Sequence, residues 1–182
     1  MKKALIHIDY THDFVADNGA LTCGLPGQQI EQHIFDVTDK LYNEGADVFF
    51  TIDMHKLGDP YHPETNLFPP HNIVGTKGRH LFGRLQQWYN EHELDQRVHW
   101  LDKTRYSAFC GTPLYTMLRE RGIEELHLVG VCTDICVLHT AVDAYNLGFK
   151  IVVHEHAVAS FNQAGHEWAL GHFKHTLGAS IV

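Results

Sequence analysis

Short, nearly continuous apolar runs alternate along this chain with segments of helical period, and few architectures accommodate that alternation. Lys3–Asp9, Asp47–Asp53, Arg97–Leu101, Glu125–Val129 and Lys150–His154 read as strands. Several are almost unbroken in apolar or β-branched residues, as expected of strands covered on both faces. Gln28–Asn43 sets Ile30, Ile34, Val37 and Leu41 at three- and four-residue intervals, an amphipathic helix that Gly45 stops. Leu81–His92, Pro113–Arg121, Thr133–Leu147 and Gln163–Leu177 are the remaining helices, with Pro113 placed where a first-turn proline is tolerated. Gly178–Val182 adds a last strand. The order predicts a three-layer α/β/α fold around a central, mostly parallel sheet. With 182 residues and no internal repeat or linker, residues 1–182 are expected to form one domain.

The formal net charge of −8, with no basic stretch longer than Lys2-Lys3, argues against a nucleic-acid or anionic-membrane partner. No segment approaches the ~18 apolar residues of a membrane span. The apolar run after Lys2-Lys3 is too short for a signal sequence and stops at Asp9, so a cytoplasmic location is expected. Cys23, Cys110, Cys132 and Cys136 make a poor disulfide framework for a chain of this length and are expected as thiols. Sixteen histidines are more than one site can use. His7, His99, His127 and His154 fall within strands and are expected to be packed or hydrogen-bonded there, while a solvated helix face accounts for His172 and His175.

The segment Met54–His80 breaks the alternation. It is rich in proline (Pro60, Pro63, Pro69, Pro70) and too long for a plain connection, and loops of that length usually build a site or are disordered. Its aromatic residues and histidines, including His55, His62, His71 and His80, favour a site.

In open parallel sheets, ligands bind beyond the carboxyl ends of the strands. Asp9 and Asp53 end the first two strands, Lys103 follows the third, and the fourth runs into Gly130-Val131-Cys132-Thr133-Asp134-Ile135-Cys136. Two acids, a lysine and two thiols therefore converge on one rim. Thr133 or Asp134 can cap the following helix, which puts Cys136 in its first turn. Free N–H groups and the helix dipole are expected to lower the thiol's pKa there, and the same N–H groups can hold an oxyanion. A lone cysteine is more often a small buried apolar residue; the convergence of Asp9 and Lys103 favours a nucleophile instead. Cys132 precedes the helix and offers its backbone N–H more usefully than its sulfur. A Cys132/Cys136 redox pair is weakened by its C-x-x-x-C spacing. A carboxylate ending an apolar strand needs a partner, so Asp9 is expected to pair with Lys103 and to act as general base toward Cys136, while Asp13 serves as a structural acid of the loop.

Asp53-Met54-His55 has a one-residue gap that lets both side chains grip one ion, and Glu64 and His71 on the following loop complete an Asp/His/Glu/His set. Such ligands suit Zn²⁺, Mn²⁺ or Fe²⁺. His62 is a competing ligand and His80 a more distant one. No phosphate-cradling loop or dinucleotide fingerprint is present.

Together, Asp9-x-x-x-Asp13-Phe14, Asp53-x-His55, His71, Lys103 and Gly130-Val131-Cys132-Thr133-Asp134-Ile135-Cys136-Val137 resemble the isochorismatase-like cysteine hydrolases, and among them the nicotinamidases. The resemblance covers essentially the whole chain. It implies a catalytic triad of Asp9, Lys103 and Cys136, and a cis Val131–Cys132 bond that aims the Cys132 N–H, with that of Cys136, into an oxyanion hole. It implies one divalent ion, zinc foremost with Mn or Fe as alternatives, on Asp53, His55, Glu64 and His71. Phe14 and Phe68, joined by Tyr106, would wall the pocket. The implied activity is hydrolysis of nicotinamide to nicotinic acid and ammonia through a cysteine thioester, in NAD salvage, and family habit implies a homo-oligomer. Two departures stand out: Thr11 occupies a position where many relatives have Gln, and the third ligand, Glu64, varies among nicotinamidases. The rival readings are a sister amidohydrolase acting on a carbamoyl or ureido compound, and a non-enzymatic metal or redox protein. Ligands at Asp53, His55 and His71 disfavour the first, and the Asp9–Lys103 convergence disfavours the second.

Overall fold

The computed structural model describes all of residues 1–182. Six parallel strands form one sheet: β1 (Lys2–Ile8), β2 (Asp47–Asp53), β3 (Val98–Lys103), β4 (Ile123–Val131), β5 (Lys150–Ala159) and β6 (Ser180–Ile181), in the order β3-β2-β1-β4-β5-β6. Seven helices accompany them: α1 (His12–Val15), α2 (Leu25–Gln29), α3 (Glu31–Asn43), α4 (Arg84–His92), α5 (Leu114–Glu120), α6 (Leu138–Asn146) and α7 (Gln163–His175).

Successive strand residues point to opposite faces, and each face has its own core. On one side Ile6, Ile8, Leu126, Leu128 and Val153 pack with Leu114, Leu118, Ala141, Ala144 and Phe173 from α5, α6 and α7. On the other, Leu5, Val48, Phe50, Ile52 and Val129 pack with Ile34, Leu41, Leu85 and Trp88 from α3 and α4. The layers are thus α/β/α, as the apolar strands predict; each fully buried Leu, Ile or Phe contributes about 1.5–3 kcal/mol.

The expected elements recur with instructive shifts. The helix expected from Gln28 breaks at Ile30 into α2 and α3. The one expected from Thr133 opens with a wide π turn, Thr133–Val137, before α6 begins. β5 runs past His154 because residues between Val153 and Val158 bulge out, after which pairing with β4 resumes at Gly130 and Val131. The polar run His154-Glu155-His156 resembles a strand end but is this bulge. Strand histidines find local partners: His7 Nε2 meets Thr38 Oγ1 (3.1 Å) while its buried Nδ1 has none, His99 meets Asp47 (3.3 Å), and His127 bridges Glu125 (3.1 Å) and His154 (2.9 Å).

Strand order reverses direction between β1 and β4, so their carboxyl ends flank the crevice where such sheets bind ligands. Ile8 pairs there with both Thr51 and Gly130, and Asp53 pairs with Lys103. Gly130 has φ 118°, and any Cβ on it would collide with the Ile8 carbonyl. Gly130→Ala is expected to lower unfolding stability by more than about 2 kcal/mol, read as a lower urea midpoint; an unchanged midpoint contradicts this. Burial holds His7 neutral, down to about 3. The unfolded chain therefore takes up a proton that the folded chain refuses between pH 6.5 and about 3, so this contribution to stability is lost as pH falls. Urea titrations from pH 7 to 4 should fall less steeply for His7→Gln than for the parent chain.

Candidate active site

At the end of β1 the chain turns sharply. Asp9 adopts a left-handed backbone, φ 55°, which a short polar side chain tolerates better than most. This turn buries its carboxylate completely, with Oδ1 accepting the Asp53 N–H at 2.8 Å and Oδ2 lying 2.7 Å from Lys103 Nζ. Lys103, also fully buried, directs its hydrogens at Asp53 Oδ1 (2.7 Å), the Arg105 carbonyl (3.1 Å) and Cys136 Sγ (3.7 Å). Asp9 Oδ2 thus sits in a close ion pair yet receives no directed hydrogen bond. It keeps a lone pair free, and it belongs to a group in which Asp9, Asp53 and Cys136 each place a ligand-type atom within 4.8 Å of the others. A proton acceptor thus lies beside a thiol.

The electrostatics follow from burial and from the sharing of one lysine. Burial alone would raise Asp53, but Lys103 and His55 hold it down at about 2. Burial, followed by the charge of Asp53, pushes Asp9 up to about 6 against the pull of Lys103. Burial would also strip the Lys103 proton, yet Asp53 and Asp9 hold it firmly in place. Cys136 differs from expectation. Burial pushes its thiol well above the ordinary range despite Lys103, so in the resting site it is a neutral thiol and not a helix-stabilised thiolate. A base is needed to activate it, and a carboxylate near 6 beside it suits that task. Nor do Thr133 and Asp134 cap the helix. Thr133 Oγ1 pairs with His166 Nδ1 (2.8 Å), Asp134 accepts the Ser160 hydroxyl (2.6 Å), and Cys132 itself stands at the cap, its carbonyl accepting the N–H groups of Ile135 and Val137.

The Val131–Cys132 peptide bond is cis. The Cys132 sulfur meets Cys23 Sγ at 3.8 Å. All four cysteines are free thiols.

Beside the thiol, Asp53, His55, Glu64 and His71 are all buried and place one ligand atom each within 4.8 Å of one another. Nε2 of His55 lies 3.5 Å from Asp53 Oδ2, and Nε2 of His71 lies 3.9 Å from that oxygen and 3.6 Å from Glu64 Oε2. Atoms around a tetrahedral zinc with bonds of about 2.1 Å are separated by roughly 3.4 Å. Asp53 Oδ2, His55 Nε2 and His71 Nε2 have no hydrogen-bond partner although buried. The Nδ1–H of His71 donates to the Pro69 carbonyl (2.8 Å), which leaves the Nε2 lone pair facing the cluster. Charge points the same way: the buried carboxylates of Asp9, Asp53 and Glu64 outnumber the one buried ammonium by two, the deficit that a divalent cation cancels. The four side chains fit such an ion. His62, the competing ligand, is not free for it, because both its nitrogens are bonded to backbone groups.

Phe14, Phe68 and Tyr106 line one pocket with Asp53, Glu64, Cys132 and Cys136, and Leu21, Ile135 and Phe161 complete its wall. The last three escaped sequence reasoning. Phe161 was within reach of the strand-end rule, had the bulge in β5 not hidden where that strand ends. The long loop is ordered by Asp13, which accepts N–H groups of Ala20 (3.3 Å) and Asn72 (2.7 Å), and by Thr11, whose hydroxyl donates to Asn72 Oδ1 (3.0 Å). Thr11 thereby supplies a bond to the His71 segment.

Fold and site together define an α/β domain with a buried thiol, acid and lysine at the sheet's switch point. An isochorismatase domain model matches residues 3–181, and the chain belongs to that family. It is 61% identical over 182 residues to the isochorismatase family protein PncA of Bacillus subtilis strain 168, covering 100% of both chains. The crystal structure of nicotinamidase/pyrazinamidase PncA from Bacillus subtilis superposes with a TM-score of 0.98 at 60% identity, covering 100% of each chain. The pyrazinamidase of Pyrococcus horikoshii, solved in complex with zinc, gives 0.86 at 28% identity, covering 100% of this chain and 99% of that one.

Lys103→Met would leave two buried carboxylates without their cation. It is expected to cost about 3–5 kcal/mol of stability, measured by urea denaturation at pH 7.5. A loss under 1 kcal/mol, the range of an exposed ion pair, would contradict the buried network.

Proposed function

We propose that this protein is a nicotinamidase: a single-domain, cytoplasmic amidohydrolase that converts nicotinamide to nicotinic acid and ammonia in NAD salvage, and that assembles as a homo-oligomer. One observation carries this reading. Asp53 belongs both to the thiol–acid–lysine group and to the cluster of cation-type ligands, so a nucleophile and a ring-binding ion would share one small aromatic pocket.

Cys136 is the nucleophile, Asp9 the general base and acid, and Lys103 the cation that keeps Asp9 oriented. Asp9 Oδ2 takes the thiol proton as Sγ attacks the carboxamide carbon, forming the C–S bond and placing charge on the oxygen. N–H groups of Cys132 and Cys136 hold that oxyanion. Asp9 returns the proton to the amine, the C–N bond breaks, and ammonia leaves a thioester on Cys136. Asp9 then takes a proton from water as its oxygen attacks the thioester, the C–S bond breaks, and Asp9 returns that proton to the departing sulfur, giving nicotinic acid and the free thiol. Phe14, Phe68 and Tyr106 enclose the ring and exclude water. Asp53, His55, Glu64 and His71 would hold one divalent ion, zinc by preference, and when bound it supplies a Lewis-acidic partner for the pyridine nitrogen.

An ammonia-release assay with nicotinamide, metal present and thiols reduced, tests the reading; no turnover would overturn it. Cys136→Ala is expected to lower kcat by at least about a thousandfold, with metal content unchanged by elemental analysis. Removing the metal with a chelator should raise KM or abolish turnover, and zinc should restore it.

A further inference from the structure

Among the buried titratable side chains around the pocket, His62 has no part in the chemistry above, yet it sits against it. It is 7% exposed, and its ring packs on that of His55 with centroids 4.2 Å apart. Its Nδ1 accepts the Glu64 N–H at 3.2 Å, so Nδ1 carries a bare lone pair and the ring hydrogen resides on Nε2. Nε2–H then donates to the Thr104 carbonyl at 2.9 Å. These two anchors lie on opposite parts of the site. Glu64 sits in the short turn Pro63–Asn66, whose cap is His62, and brings a carboxylate to the cation cluster. Thr104 directly follows Lys103, and the next carbonyl, that of Arg105, accepts from Lys103 Nζ.

The identity of the residue is informative. Turn and helix caps of this kind are ordinarily Ser, Thr, Asp or Asn, each of which satisfies an N–H group more simply than histidine. A neutral imidazole adds a donor on the far side of a rigid ring, so one side chain can span two backbone segments. We propose that His62 is a positioning residue, a neutral strut that sets the Glu64 turn against the lysine end of β3 and so keeps the cation cluster and the thiol–acid group in fixed relation. The proposal rests on reading Asp53, His55, Glu64 and His71 as a cation site.

The two ends of the strut can be cut separately. Asn at 62 puts an amide oxygen near the place of Nδ1 and retains the cap, while Gln puts an amide nitrogen near the place of Nε2 and retains the tie to Thr104. Zinc affinity of the full chain, by chelator competition, and amide hydrogen exchange over residues 62–67 are the readouts. His62→Ala is expected to weaken zinc binding about ten- to a hundredfold and to quicken exchange in the Pro63–Asn66 turn. His62→Gln should weaken zinc similarly. His62→Asn should keep most of the zinc affinity but lower kcat with little change in KM, because the lysine end is then loose. Wild-type zinc affinity and exchange in His62→Ala would overturn the proposal, as would equal weakening by Asn and Gln. A parent chain that binds no zinc would sink the cation reading, and unchanged exchange in His62→Ala would then sink the strut as well.

Discussion

The ammonium of Lys103 is fully buried, and everything at the rim of the sheet is arranged around it. An uncompensated charge in such a place is untenable, so Asp53 and Asp9 must both approach it, at 2.7 Å each. Because both carboxylates are buried around one ammonium, they part company: Lys103 and His55 hold Asp53 strongly anionic, while burial and the charge of Asp53 lift Asp9 toward neutral pH. That asymmetry suits two chemically identical groups to the different roles proposed for them, Asp53 as an ion ligand and Asp9 as a proton carrier.

The same constraint explains the state of the thiol. A cysteine in the first turn of a helix invites the expectation of a thiolate, but here burial outweighs the charge of Lys103 and the sulfur stays protonated. The wide π turn and the absence of side-chain capping further separate Cys136 from an ideal helix start. A protonated thiol beside a carboxylate lifted toward neutral pH is the arrangement in which a base must take the proton before the sulfur can act as a nucleophile.

The loop Met54–His80 is long for a compact domain yet fixed at many points. Asp13 and Thr11 anchor it near His71, Arg79 ties it to the Asp53 carbonyl and to Asp102, and His62 ties it to Thr104. The cation-type side chains contributed by such a segment gain precision from these hydrogen bonds, not from regular secondary structure.

Apolar runs and their spacing determined, without coordinates, that the chain would build a parallel three-layer domain, because strands covered on both faces leave that signature at every position. The strand-end rule likewise made Asp9, Asp53, Lys103 and Cys136 legible as one group, and the D-x-H pair with its loop acids and histidines made the Asp53, His55, Glu64 and His71 cluster legible. Sequence could not separate His62 from Glu64 and His71 as candidate ligands, since the choice depends on which lone pairs backbone groups have already taken. It could not locate Leu21, Ile135 and Phe161 in the pocket wall, because Leu21 lies in the irregular connection between α1 and α2, the π turn after β4 places Ile135, and a bulge in β5 shifts the strand end before Phe161. Nor could it assign the protonation states of Asp9 and Cys136. Those follow from burial and from the charges of Asp53 and Lys103, which act on them only once four distant strand ends are brought together.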